Sequence, residues 1–149
     1  MLSSDNKDYI VIVQCDIAME RCSGYFCEKA FHERTGGFAV YPADKPYRTL
    51  YLTCGGCCGR ALQRKLVNLV SKIGRNEGIG PERIVVQLAS CITNDSHHGP
   101  PCPHLDYLRV LIDRASLDAR DCTNIAEPTE RRRRAGVYLP RPDDPVEEK

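Results

Sequence analysis

A chain of 149 residues, 42% hydrophobic and 28% charged, has the composition of one ordinary globular domain and is long enough to bury a core without disulfide staples. Its formal net charge of +1 gives no general attraction to nucleic acid or an anionic membrane, and no stretch approaches the roughly 20 apolar residues of a membrane span. Nine cysteines, behind a polar start that is unlike a signal peptide, point to a reducing, cytoplasmic setting where thiols bind metals or do chemistry rather than form a disulfide framework.

Ile10-Val11-Ile12-Val13 is a continuous apolar, β-branched run. It predicts a strand over Tyr9–Gln14 covered on both faces, as in a parallel sheet, and that strand ends at Cys15. A helix is expected over residues 25–34, closed by Gly36-Gly37. A second strand, residues 49–53, ends at Cys54. Leu62, Leu66, Leu69, Val70 and Ile73 then recur at helical spacing and predict a helix over 60–72 that stops at Gly74 and Asn76. A third strand, residues 83–90 with Ile84-Val85-Val86 near its start, ends at Cys91. Leu105, Leu108, Leu111, Ile112 and Ala115 mark another helix, opened by Pro103, whose missing N–H suits a first turn. Residues 117–122 read as a last strand whose Asp118, Arg120 and Asp121 suit only a sheet edge.

Strands alternating with helices imply an α/β fold, a three-layer sandwich with a small, mainly parallel sheet and helices on both faces. Residues 1–139 are expected to form one metal-binding domain. Residues 140–149, with Pro140, Pro142 and Pro145 among Asp143, Asp144, Glu147 and Glu148, are expected to form a flexible tail. Arg131-Arg132-Arg133-Arg134 has the composition of a nucleic-acid patch. Its acidic surroundings and lack of interleaved aromatics favour instead a solvated helical face or a contact with the domain, with Val137, Tyr138 and Leu139 docking to hold it there.

If the three cysteine-ended strands are parallel neighbours, Cys15, Cys54 and Cys91 meet at the carboxyl edge of the sheet, where open α/β folds bind ligands. Cys22, Cys27, Cys57, Cys58 and Cys102 lie around those ends, so eight of the nine cysteines converge on one mouth. Soft thiolates within reach of one another are what zinc or an iron–sulfur cluster requires. Cys54-Gly55-Gly56-Cys57 is the sharpest signal. Two intervening residues let both thiols turn toward one point, two glycines permit positive backbone angles, and the following helix turns unsatisfied N–H groups toward the sulfurs. Alone, this C-x-x-C suits a redox pair or buried cysteines equally well.

Its companions tip the balance toward metal. Cys15, Cys22 and Cys27 are short separations apart, and Cys91 and Cys102 bracket a loop carrying His97 and His98. The candidate ligands are therefore Cys15, Cys22, Cys27, Cys54, Cys57, Cys91 and Cys102. These seven exceed the four that one tetrahedral zinc or one cubane needs, which implies two centres or thiols kept for chemistry. His104 is read as a ligand, an orienting donor or a helix-surface residue; His97 and His98 are weaker candidates, and His32 is read as solvent-facing.

In order along the chain, Cys15, Arg21-Cys22-Ser23-Gly24-Tyr25-Phe26-Cys27, Lys29-Ala30-Phe31, Gly37-Phe38, Tyr41, Cys54-Gly55-Gly56-Cys57, Gly59-Arg60, Ser90-Cys91-Ile92 and Cys102-Pro103-His104 resemble the CGGC-domain family of small prokaryotic proteins, over residues 9–138. That family is described as metal-binding with no settled reaction, so the resemblance implies a site and a class but no substrate. It also implies proline after the CGGC, where Cys58 stands, and Gly-Thr-His near the last strand, where this chain reads Cys122-Thr123-Asn124. Either Cys122 replaces that histidine as a soft ligand or the histidine's role is unfilled.

The leading expectation is a cytoplasmic metal-binding protein whose thiolate mouth holds an iron–sulfur cluster or zinc. It would serve electron transfer or sulfur chemistry with a redox or other protein partner, and with neither membrane nor nucleic acid as partner. The alternatives are a metal-free thiol–disulfide oxidoreductase working through Cys54 and Cys57, and a metal carrier or sensor.

Overall fold

The continuous apolar runs become the two inner strands of a parallel sheet in the computed structural model, which describes residues 6–141. Among the described residues that sheet has four strands, β1 (Tyr9–Gln14), β2 (Arg48–Thr53), β3 (Ile84–Leu88) and β4 (Asp118–Asp121), in the order β2-β1-β3-β4. Five α-helices accompany them: α1 (Tyr25–Glu33), α2 (Ala61–Glu77), α3 (Ser90–Thr93), α4 (Leu105–Arg114) and α5 (Glu127–Arg134). This is the expected α/β sandwich, and every strand pairing is parallel.

Cover on both faces explains why β1 and β3 do not alternate. Val11, Val13, Val86 and Leu88 pack with Leu62 and Leu66 of α2 and Leu108 and Ile112 of α4. On the opposite face Ile10, Ile12 and Val85 meet Ala30 of α1 and the rings of Phe38 and Tyr41. Each of these large aliphatic side chains, once buried, contributes about 1.5–3 kcal/mol. β4 leaves Asp118 and Ala119 exposed and lies at the sheet's edge, as its charges demand. No helix of the described residues is long and apolar enough to cross a membrane.

Four details depart from the sequence reading. α2 runs through Gly74 and Asn76 to Glu77 and is capped by Gly78 in the left-handed region at φ 69. Its last turn is fastened to the sheet, where Glu77 accepts a hydrogen bond of 2.6 Å from the Tyr9 hydroxyl and pairs with Arg48 at 2.9 Å. Tertiary anchoring thus overrides the weak helix propensity of glycine. α1 ends on Arg34, itself left-handed at φ 56, rather than on Gly36-Gly37. β3 stops at Leu88 because Ser90 already opens α3. Pro103 stands in the turn before α4, whose first residue is Leu105.

Gly36 and Gly37 serve a different purpose. A Cβ on Gly36 would lie 2.2 Å from the Thr123 carbonyl oxygen, and one on Gly37 would lie 2.1 Å from that of Cys122. The turn can therefore press its backbone against the end of β4, where the Gly37 N–H donates to Thr123 O at 2.9 Å. Gly37→Ala is expected to lower stability by about 1–3 kcal/mol through overpacking against rigid backbone, read as a fall in melting temperature.

The docking expected of Val137 and Leu139 does not occur, since both remain exposed. Arg133 makes the attachment instead. Its side chain is only 6% exposed and pairs with Glu130 at 3.1 Å, and it donates to the Asp95 carbonyl at 2.9 Å. Leu139 N–H reaches the Asp95 carboxylate at 2.8 Å. Arg141, within the expected tail, pairs with Glu130; the rest of that tail lies outside the described residues.

Candidate functional site

Strand register places the cysteines. Val13 of β1 is level with Leu52 of β2 and Leu88 of β3, and Leu88 is level with Asp121 of β4. All four strands therefore finish along one edge. Cys15, Cys54 and Cys122 follow β1, β2 and β4 at that edge, and Cys91 sits in the first turn of α3 just beyond β3. With order β2-β1-β3-β4, the direction of strand addition reverses between β1 and β3. That reversal opens the crevice in which doubly wound sheets hold ligands. Cys15 and Cys91 flank it, and the Cys15 N–H donates to the Cys91 sulfur at 3.3 Å.

The C-G-G-C knuckle is built as its glycines suggest. Gly55 and Gly56 adopt φ 81 and 99, and Gly59 adopts φ 90. A Cβ on Gly59 would come within 2.4 Å of Leu108 in α4, so the loop lies close on the helical layer. Cys54 is 8% exposed, and its N–H donates to Gln14 O at 3.1 Å, which extends the β1–β2 pairing. Cys57 and Cys58 are exposed. Lys65, one turn into α2, donates to the Thr53 carbonyl at 2.9 Å, while Thr53 donates its hydroxyl to Asp16 at 2.8 Å. Sequence reading passed over this lysine, whose position on the polar side of an amphipathic helix gave no sign of its reach.

The seven candidate thiols fall into two neighbourhoods. Burial pushes the Cys91 thiol up to about 12, partly offset by the Cys15 N–H, and the nearby Cys27, Cys15 and Cys22 push it further in the same direction. Cys102 is also raised, by burial first, against a lowering hydrogen bond from the His104 N–H; its neighbours are Cys15, Cys54 and Cys57. Cys15 belongs to both. Cys22 accepts from the Gly24 N–H at 3.4 Å, and Cys27 lies 3.1 Å from the Thr123 hydroxyl. The interaction of His104 with Cys102 runs through its backbone, at 3.4 Å.

A cavity of about 260 Å³ opens beside the first neighbourhood, lined among others by Cys22, Cys27, Cys91, His98, Asn124 and Arg133. The second neighbourhood's Cys54, Cys57 and Cys102 are not on its wall. His98 has a buried Nδ1 with no hydrogen-bond partner, whereas His97 beside it is exposed. Asn124, where the resemblance implies a histidine, is on the same wall. Cys122 is elsewhere: 1% exposed, it donates its thiol proton to Asn94 Oδ1 at 3.3 Å.

The donor chemistry suits a soft or borderline cation, since every candidate is a thiol or an imidazole. As the side chains stand, no three His, Cys, Asp or Glu groups among the described residues are close enough together to hold one ion.

A family model described as the CGGC domain matches residues 9–123. No curated protein and no solved structure matches the chain.

Proposed function

The chain belongs to the CGGC-domain family, and from that premise we propose that it is a metal-binding protein whose ligands are drawn from Cys15, Cys22, Cys27, Cys54, Cys57, Cys91 and Cys102. The observation that carries this reading is the meeting of Cys15 and Cys91 at the β1/β3 crevice, 3.3 Å from N–H to sulfur, with Cys54 ending the adjacent strand. Three strands deliver soft donors to the place where an open sheet binds ligands. The bound group is an iron–sulfur cluster or zinc, and when bound it supplies electron transfer in the first case and Lewis acidity or structural closure in the second.

The chain's own contribution can be followed residue by residue. The glycines of the knuckle let Cys54 and Cys57 approach one point. The Cys15 N–H stabilises charge on the Cys91 sulfur as its proton leaves, and the His104 N–H does the same for Cys102. Lys65 places an ammonium group behind the knuckle, where it counters accumulating thiolate charge.

One observation favours a second reading: Cys57 is exposed beside buried Cys54, the layout of an attacking and a resolving thiol in disulfide exchange. Protein purified without oxygen separates the two. At least one iron or zinc per chain is expected by elemental analysis, with brown colour and broad visible absorption if the metal is an iron–sulfur cluster. Metal-free protein with Cys54 and Cys57 in a reversible disulfide would overturn the metal reading and establish the redox one.

A further inference from the structure

We propose that the chain pairs with a second copy of itself along the outer edge of β2, antiparallel and centred on Tyr51, so that two four-stranded sheets become one. The two edges of the sheet are guarded differently. β4 is four residues long and three of them, Asp118, Arg120 and Asp121, are charged, which is one way soluble proteins keep an edge strand from pairing. β2 is six residues long, Arg48-Thr49-Leu50-Tyr51-Leu52-Thr53, with its one charge at the first position, and among the described residues no strand lies beyond it. That edge is a template for another strand, whatever the mouth binds.

Backbone direction selects the register. The Arg48 N–H donates to the Asp8 carbonyl at 3.0 Å and the Cys54 N–H to that of Gln14 at 3.1 Å. Residues 48, 50, 52 and 54 therefore turn their backbone groups toward β1, and the alternation leaves those of Thr49, Tyr51 and Thr53 pointing outward. About a two-fold axis perpendicular to the sheet, like faces stay together, so each residue meets one an even number of positions away. Only the register centred on Tyr51 engages all three: Thr49 opposes Thr53 of the second copy, Tyr51 opposes Tyr51, and every outward N–H reaches a carbonyl. The Thr53 carbonyl already accepts from Lys65 at 2.9 Å and has a second lone pair to offer.

Side chains suit the same register. Tyr51 is level with Ile12 and so lies on the α1 side of the sheet, where it is 40% exposed; across the axis it meets its own copy as a cross-strand aromatic pair. On the α2 side Leu50 opposes Leu52 of the second copy. A groove of about 340 Å³ beside β2, lined among others by Leu50, Leu69 and Ile73, receives that leucine. Charge raises no obstacle along the strand. Arg48, its only charged residue, opposes Cys54 and keeps its pair with Glu77 at 2.9 Å. One strand and its flanking side chains make a small interface, so the dimer is expected at the weak, concentration-dependent end of specific contacts.

Sedimentation equilibrium of full-length protein tests the pairing, with reductant present so that the exposed Cys57 and Cys58 cannot link chains by disulfides. Wild-type mass is expected to rise from one chain to two between micromolar and millimolar concentration. Tyr51→Lys and Tyr51→Glu each set like charges opposite one another at the axis and should weaken the dimer by roughly tenfold or more, while a mixture of the two variants should associate again. Thr49→Pro guards against a purely side-chain effect: it removes an outward N–H, leaves the ladder to β1 intact, and should also weaken the dimer. Amide exchange at Tyr51 should slow as concentration rises. A monomer at every concentration would overturn the proposal, as would a dimer unmoved by Tyr51→Lys and Thr49→Pro. A Lys/Glu mixture that stays monomeric would overturn the Tyr51-centred register and the proposal with it. Exchange at Tyr51 that is equally slow at every concentration would show the edge covered by the chain's own residues, and would likewise overturn it.

Discussion

Cys54→Ser is expected to weaken metal binding at the knuckle by roughly a hundredfold or more, whereas Cys122→Ser leaves the metal content of the protein unchanged. A structural thiolate site is worth about 10–16 kcal/mol in apparent binding free energy, so one donor in four carries about 3 kcal/mol, or about two powers of ten in affinity. Serine cannot replace it, because its hydroxyl keeps its proton at neutral pH. Cys122 ends a strand just as Cys54 does, yet it is buried against Asn94 and is absent from the cavity wall. Chelator competition on the two variants decides the matter. Equal losses would make Cys122 a ligand that replaces the histidine implied by the family resemblance, and the knuckle set would need redrawing.

Glu130→Ala is expected to destabilise the domain by about 3 kcal/mol, near the lower end of what breaking a buried ion pair costs. Glu130 and Arg133 have side chains 15% and 6% exposed, and removing the carboxylate leaves Arg133 poorly solvated with carbonyl oxygens and the Tyr138 ring to meet it, and takes an ion-pair partner from Arg141 as well. Those carbonyls keep the cost from rising further. Glu127→Ala is the control. Its pair with Arg134 is exposed on both sides, and an exposed pair is worth at most about 1 kcal/mol. Denaturant unfolding of both variants should show the large effect only in the first. Equal effects would mean that the helix, rather than its buried pair, sets the cost.

What could be read in the sequence follows from how local each signal was. β1 and β3 were legible because a strand covered on both faces must be apolar at every position, and Ile10–Val13 and Ile84–Val86 are. The placement of cysteines at strand ends followed from parallel order alone. α2 was cut short because Gly74 and Asn76 are poor helix formers, and the bond from Tyr9 to Glu77 that outweighs them spans 68 positions. Gly36-Gly37 was taken for a helix stop because glycine is the usual left-handed cap; its true reason, the carbonyl of Cys122, lies far along the chain. The arginine run was read as a solvated helical face or a contact with the domain, and it divides between them: Arg131, Arg132 and Arg134 are exposed, while Arg133 makes the contact for which the apolar trio behind it received credit. In the site, the place of His98 on the cavity wall could not be read, because a histidine in a turn-rich loop gives no periodic signal and the wall is assembled from distant segments.

The opposite rim of the sheet is tied by charge. Lys7, its side chain 3% exposed, bridges Asp118 at 2.7 Å and the Glu82 carbonyl at 2.7 Å; Arg83 grips Asp8; and Arg48 and Tyr9 converge on Glu77. These links join β1, β2, β4 and the loops before β1 and β3 at the end remote from the thiols. Rearrangement at the mouth therefore need not propagate through the strands, and the work of reshaping the donor set falls on short loops alone. Were a cation held at the mouth, its preferred size and coordination angles would be met by movement of those loops above a tied base, and discrimination among metals would then be a property of loop length rather than of the sheet's stability.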